Sequence, residues 1–171
     1  MTVIQTCALP EQAFLSKYAE GGGYTDCFVI EMAGQISLAA FVEAFYTTWL
    51  FKLERALLVL AAKPSTDLQA KELAAGTRST FAAWIVEERA EHQLLMCDLT
   101  TRTRSWFMIA ATTRGTRRAT LLFFGSAVTA TINEATGEET IGPIFHSLMG
   151  FHRIYSKALL HATRSRLNRT G

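Results

Sequence analysis

The sequence predicts an α+β fold: a curved antiparallel sheet wrapped around a long C-terminal helix, with two or three short helices after the first strand. Three observations carry that reading. Residues 37–75 show helical periodicity, residues 81–131 are dense in β-branched and aromatic side chains, and the last thirty residues return to a helical pattern. The chain has 171 residues, 49% of them hydrophobic and 19% charged. A chain of that length buries most of its apolar surface as one domain. Disorder is excluded because it needs low hydrophobicity and high net charge, whereas this net charge is +2.

The elements follow in order. The stretch 1–25 is an N-terminal segment of unassigned structure, and Gly21-Gly22-Gly23 reads as a flexible joint before the body, 26–168. Asp26 to Met32 reads as a strand. Ser37 is placed to cap a helix whose Leu38, Phe41, Val42 and Phe45 recur at i, i+3, i+4 and i+7. Thr47-Thr48 marks a break. A second helix then carries Leu50, Leu53, Leu57 and Leu60 on one stripe and stops at Lys63-Pro64. A third runs from Asp67 to Ala75, capped by Ser65 or Thr66 and ended by Gly76.

Four strands are expected next, at Phe81–Glu88, Gln93–Leu99, Thr103–Ala111 and Thr120–Thr131, joined as a meander. Both alternating sets are apolar in three of them, as in Trp106/Met108 against Phe107/Ile109. A sheet wetted on one face alternates apolar with polar, so both faces here call for cover. The final helix supplies one cover; the early helices, a second subunit or a bound apolar ligand supply the other. Gly142 and Pro143 open the final helix. At 100° per residue, Ile144, Leu148, Phe151, Tyr155, Ala158 and Ala162 share one arc, with His152 at its edge and His146, Arg153 and Lys157 away from it. That arc is expected to face the sheet.

Strand, short helices, meander and long C-terminal helix together resemble the helix-grip (START/Bet v 1-like) superfamily. The segments SLAAFVEAFYTTWLFKLERALL, FAAWIVEER, LLMCD, RTRSWFM, FFGSAV and LMGFHRIYSKALL are similar to an uncharacterised bacterial domain-of-unknown-function family. Members of that family are short stand-alone proteins or tails behind short-chain-dehydrogenase-like domains. The resemblance spans roughly residues 26–167. It implies a cavity between sheet and helix, and it supplies no catalytic residues.

Several function classes lose support at this level. No run of about 18 apolar residues is available for a membrane span, since Leu38 to Ala62 is interrupted by Glu43, Lys52, Glu54 and Arg55. The first residues show no signal-peptide pattern, so a cytoplasmic protein is expected and Cys7, Cys27 and Cys97 are read as thiols. Charge is split: residues 1–99 hold 7 Lys/Arg and 12 Asp/Glu, and residues 100–171 hold 10 and 3. The basic residues are scattered apart from Arg164, Arg166 and Arg169, so a solvated face is favoured over nucleic-acid binding. No histidine pair or Cys partner stands at ligand spacing, so no metal and no cofactor are expected.

The remaining candidates surround the expected cavity. His152 and Tyr155 lie about one turn apart on the last helix beside Phe151, Asp98 ends a strand next to Cys97, and Arg104 shares a strand face with Trp106. A His, a Tyr and an Asp lining an apolar pocket are able to exchange protons, with His152 or Asp98 as base, and an arginine at its mouth pairs with a carboxylate. Ser126 lacks a nucleophile-elbow setting and is read as a close-packing position. Three readings stay open: a binder of a small apolar or amphipathic molecule, a cyclase- or dehydratase-type enzyme using the same cavity, and a homodimeric docking module. Satisfied core packing of His152 and Tyr155 is the simpler account of those two residues.

Overall fold

The computed structural model describes residues 3–60, 64–129, 131–132, 139–140 and 143–170; the side chains of 57–60, 131–132, 139–140, 143–149 and 170 lie outside that description. The expectations for Leu57, Leu60, Gly142, Ile144, His146 and Leu148, and in part for the stop at Lys63-Pro64, therefore fall outside it.

Hydrogen bonding links seven strands into one antiparallel sheet in the order β1-β2-β7-β6-β5-β4-β3. These are β1 (Gln5–Thr6), β2 (Tyr24–Ala33), β3 (Thr80–Phe81), β4 (Trp84–Arg89), β5 (Gln93–Asp98), β6 (Thr103–Arg114) and β7 (Arg117–Val128). A two-stranded ribbon, β8 (Thr131–Ile132) with β9 (Glu139–Thr140), precedes the last helix. The helices are α1 (Ser16–Glu20), α2 (Leu38–Tyr46), α3 (Trp49–Leu60), α4 (Asp67–Ala75) and α5 (Pro143–Thr170). This is the helix-grip-like α+β architecture anticipated above.

Local chemistry explains the helix ends. The Ser37 hydroxyl accepts from the Ala40 amide, and Thr66 with Gln69 forms a reciprocal capping box. Gly76 closes α4 in the left-handed conformation at φ 80°. Between α2 and α3 the Thr48 hydroxyl donates to the Phe45 carbonyl and accepts from the Phe51 amide, so one side chain ends one helix and starts the next.

The strands run longer than expected. β6 and β7 continue to a two-residue turn at Gly115-Thr116, and Gly115 has φ 63°. The sequence signal stopped earlier because Thr112 to Arg118 carry no apolar alternation, yet the backbone ladder continues through them. The expected strand Phe81–Glu88 is interrupted at Ala82, whose φ of 50° breaks it into β3 and β4.

Alternation sends each strand's side chains to two faces. Phe28, Ile30, Leu94, Met96, Phe107, Leu122 and Phe124 join the inner core with α2, α4 and α5. Its aromatic centre is Phe45, whose ring lies 4.9 Å from Phe107 and 4.7 Å from Phe124. The outer face carries Cys27, Leu95, Trp106, Met108, Phe123 and Ala127.

The cover on that outer face is the chain's own N-terminal segment. Leu15 is fully buried there, and Gly125 makes room for it, since a Cβ at that position would stand 2.9 Å from Leu15 Cδ1 and 2.6 Å from the Asp26 carbonyl. Gln93 fastens the segment: its amide nitrogen donates to the Gln12 carbonyl at 2.9 Å, and its oxygen accepts from the Phe14 amide and the Trp106 indole. Gly21-Gly22-Gly23 forms the turn from α1 into β2, with Gly22 at φ 76° and the Gly23 amide bonded to Tyr18. The second apolar face therefore needs no second subunit to cover it.

Cys7 follows β1 directly, its amide bonded to the Cys27 carbonyl at 3.0 Å, and the two sulfurs lie 3.2 Å apart. Diamide oxidation is expected to join Cys7 to Cys27 while Cys97 stays free, read by peptide mapping. Closing a loop of about 20 residues stabilises the chain by about 3 kcal/mol when the bond forms without strain. A Cys97 cross-link, or none at all, would show that the segment does not lie in this register.

Candidate functional site

Strand register builds the site. Asp26 of β2, Ser126 of β7 and Ser105 of β6 are direct cross-strand neighbours and form one row on the inner face. The adjacent inner row is Phe28, Phe124, Phe107 and Leu94. A polar row thus abuts an aromatic one, and a cavity of about 220 Å³ opens above the polar row. Phe45, Tyr46 and Phe51 wall it from the early helices, Trp84 from β4, and His152, Tyr155 and Ser156 from α5.

Two polar clusters face this space. In the first, one Asp26 carboxylate oxygen accepts from the Ser126 amide at 2.9 Å and from the Ser126 hydroxyl at 2.6 Å. The other accepts from the Tyr24 hydroxyl at 3.2 Å. His152 Nε2 lies 2.6 Å from Ser126 Oγ and 3.6 Å from Asp26 Oδ2. The Ser126 hydroxyl donates its single proton to Asp26, so the contact to His152 is one in which Nε2–H donates to Oγ. Burial, reinforced by the Asp26 charge, pushes the Tyr24 phenol up to about 12.

In the second cluster Tyr155 donates to Glu54 at 2.6 Å. Burial raises the Glu54 carboxyl above its ordinary range, and the Tyr155 hydrogen bond only partly offsets this. Burial and the Glu54 charge likewise raise Tyr155 and Tyr46.

The structure gathers some of the sequence candidates and scatters others. His152 and Tyr155 line the cavity. Arg104 borders it, but its guanidinium lies 4.5 Å over the Tyr18 ring and bonds Glu87 at 3.0 Å, so its charge is committed away from the cavity. Trp106 is fully buried in the outer core, because its register places it opposite Gly125 under Leu15. Asp98 staples the β5–β6 turn, accepting from the Arg102 and Thr103 amides at 2.8 and 2.9 Å. Burial would raise its carboxyl, but those bonds and the Thr100 hydroxyl hold it below the ordinary range.

Phe151 is 67% exposed and stacks on Tyr155, with ring planes 10° apart. Among the described members of the expected apolar arc, Phe151 and Ala158 are exposed while Tyr155 lines the cavity, so the arc is turned partly away from the sheet. Ser156, Leu159, Leu160, Thr163 and Leu167 are the buried positions. Beside the cavity α5 contributes the small Ser156 together with His152 and Tyr155, and leucines further along. The Thr163 hydroxyl is satisfied within the helix by the Leu159 carbonyl at 2.7 Å. Asp26, Ser126 and Glu54 were missed as site residues. The signal that finds Asp26 and Ser126 is parity: each is a polar member of a largely apolar inner-facing set, with Phe28, Ile30 and Met32 in β2 and Leu122 and Phe124 in β7.

Among the described residues no group of three or more His, Cys, Asp or Glu side chains is arranged to hold a metal ion, and no helix is long and apolar enough to cross a membrane. The fold and site define a helix-grip-like α+β protein with a small pocket under its C-terminal helix. No protein-family model and no curated protein matches the chain. Among solved structures it is similar to CalU16 from Micromonospora echinospora, at 11% identity and a TM-score of 0.28, over 99% of this chain and 94% of that one; a likeness this slight carries no argument.

The Glu54 shift gives a pH test. A carboxyl whose folded pKa is raised favours folding below its unfolded pKa, and that contribution is lost as pH rises through the folded value. Glu54→Gln keeps an acceptor for Tyr155 without the buried charge. Its melting temperature is expected to exceed the parent's at pH 8 and to match it near pH 4. Equal melting at both would show that Glu54 is solvated in the fold.

Proposed function

We propose that this chain is a cytoplasmic binding module: a single domain, 26–168, covered by 1–25, that holds a small, largely apolar molecule between sheet and C-terminal helix. The observation that supports it best is the cavity itself, with aromatic walls and polar groups confined to two clusters. That division matches small-molecule sites, where apolar contact drives binding and a few polar groups orient the ligand. At about 220 Å³ the space lies below the ~300 Å³ lower end for drug-sized ligands, so one or two rings fill it. Native mass spectrometry of the purified protein reports any co-purified molecule and the subunit count together. Indane, a fused two-ring hydrocarbon, is expected to bind in ligand-observed NMR, and Ser156→Phe, which fills the cavity from α5, to weaken it at least tenfold. Indane binding unaffected by Ser156→Phe would remove this cavity from the account.

A second reading, an acid–base enzyme using the same pocket, is favoured by the Asp26–Ser126–His152 chain. A buried carboxylate that orients an imidazole through a serine leaves Nδ1 of the neutral ring as a proton acceptor, and His152 is one of the residues that line the pocket. Asp26, rather than Asp98, is the carboxylate in this reading. The protein is then expected to speed exchange of the α-protons of 1-indanone into D2O, with His152→Ala abolishing the effect while indane still binds. Exchange at the buffer rate with parent protein would leave binding as the function.

A further inference from the structure

We infer that the pocket takes a small organic cation, an ammonium carried on an apolar ring, with Glu54 as its counter-ion. This rests on the binding reading above and names the chemistry of its ligand. Glu54 lines the cavity from α3 and is partly buried. Tyr155 donates to its Oε2 at 2.6 Å. The other oxygen, Oε1, has no hydrogen-bond partner among the described residues, and it is not one of the buried polar atoms closed off from solvent. Glu54 thus brings an accessible carboxylate oxygen to the cavity lining.

Among the described residues no cation answers that charge. The helix neighbours of Glu54, Lys52 and Arg55, both pair with Asp67. Arg104, the arginine of the cavity lining, bonds Glu87 at 3.0 Å and stacks over Tyr18. His152 spends Nε2 on Ser126, beside the Asp26 carboxylate. Burial accordingly raises the Glu54 carboxyl, with only the Tyr155 hydrogen bond to oppose it. A carboxylate withdrawn from water without a counter-ion is costly, and an entering cation recovers part of that cost.

The walls suit the same ligand. Phe45, Phe51, Trp84 and Tyr155 are among the lining residues, and Phe51 stands three residues before Glu54 on α3. Aromatic rings attract a cation that has lost its water, tryptophan most strongly. The Glu54 charge is felt inside the pocket, since it adds to burial in raising the phenol of Tyr46, another wall residue. An anion meets like charge at Glu54. A neutral alcohol is able to donate to Oε1, but it leaves the charge unanswered.

Calorimetry on the full chain at pH 7.5 compares indane, 2-indanol, 2-aminoindane and indane-2-carboxylate. 2-Aminoindane, protonated at this pH, is expected to bind about tenfold tighter than indane and 2-indanol, and the carboxylate weaker than indane. Glu54→Gln is expected to cut the amine-to-indane ratio by about fivefold or more while indane affinity stays within about twofold. That variant is expected to melt higher than the parent at pH 8, so a folding defect does not confound it. Ser156→Phe is expected to weaken the amine as it weakens indane. An amine no tighter than indane or 2-indanol, a ratio unchanged in Glu54→Gln, an amine untouched by Ser156→Phe, or a tighter carboxylate overturns the inference while leaving the pocket reading intact. If none of the four probes binds, the pocket reading itself fails.

Discussion

The register of β7 between β2 and β6 is the constraint on which the rest of the molecule depends. It places Phe124 between Phe28 and Phe107, and Ser126 between Asp26 and Ser105. One row anchors the aromatic core around Phe45; the next carries the polar groups that His152 approaches from α5. A slip of β7 by one residue would turn Phe124 and Ser126 to the outer face and bring Phe123 and Gly125 inward. The same register sets Gly125 opposite Trp106, where the missing side chain admits Leu15. Core, pocket and outer cover thus share one alignment of hydrogen bonds.

The N-terminal segment completes this arrangement. Tyr18 donates to Glu87, Lys17 pairs with Glu87 and Glu88 at 3.1 Å, and Arg104 joins the group through Glu87. These groups are partly solvated, so each ion pair contributes little on its own. Burial of Leu15 and satisfaction of the segment's backbone by Gln93 do more to hold it. Because this cover belongs to the chain, the doubly apolar strands are accounted for without an exposed docking face on the sheet.

The pocket follows from what α5 does not insert. Ser156 sits where a larger residue would fill the space between Phe45, Phe124 and Trp84. The two polar clusters border that space from different elements: Asp26 and Ser126 from the sheet, Glu54 from α3, His152 and Tyr155 from α5. Sequence separations of 100 between Asp26 and Ser126 and 101 between Glu54 and Tyr155 keep both clusters invisible to any local reading.

Several features were legible from the chain alone, because they are local. Side-chain caps at Ser37 and Thr66, the left-handed Gly76, the Thr47-Thr48 break and the two-sided apolar strands each act within a few residues. They settle the fold class and the order of elements. Tertiary packing decided the remainder. Which face of α5 turns inward is decided by packing against the core that contains Phe28, Phe45 and Phe124, and Phe151 faces solvent although its periodicity resembles a core position. Trp106 and Arg104 share a strand face as the alternation requires, but which face borders the helices is fixed by long-range pairing. Asp98 and Asp26 look alike as strand carboxylates; one is used up in a turn and the other meets a histidine, a difference created only when distant strands and the last helix come together.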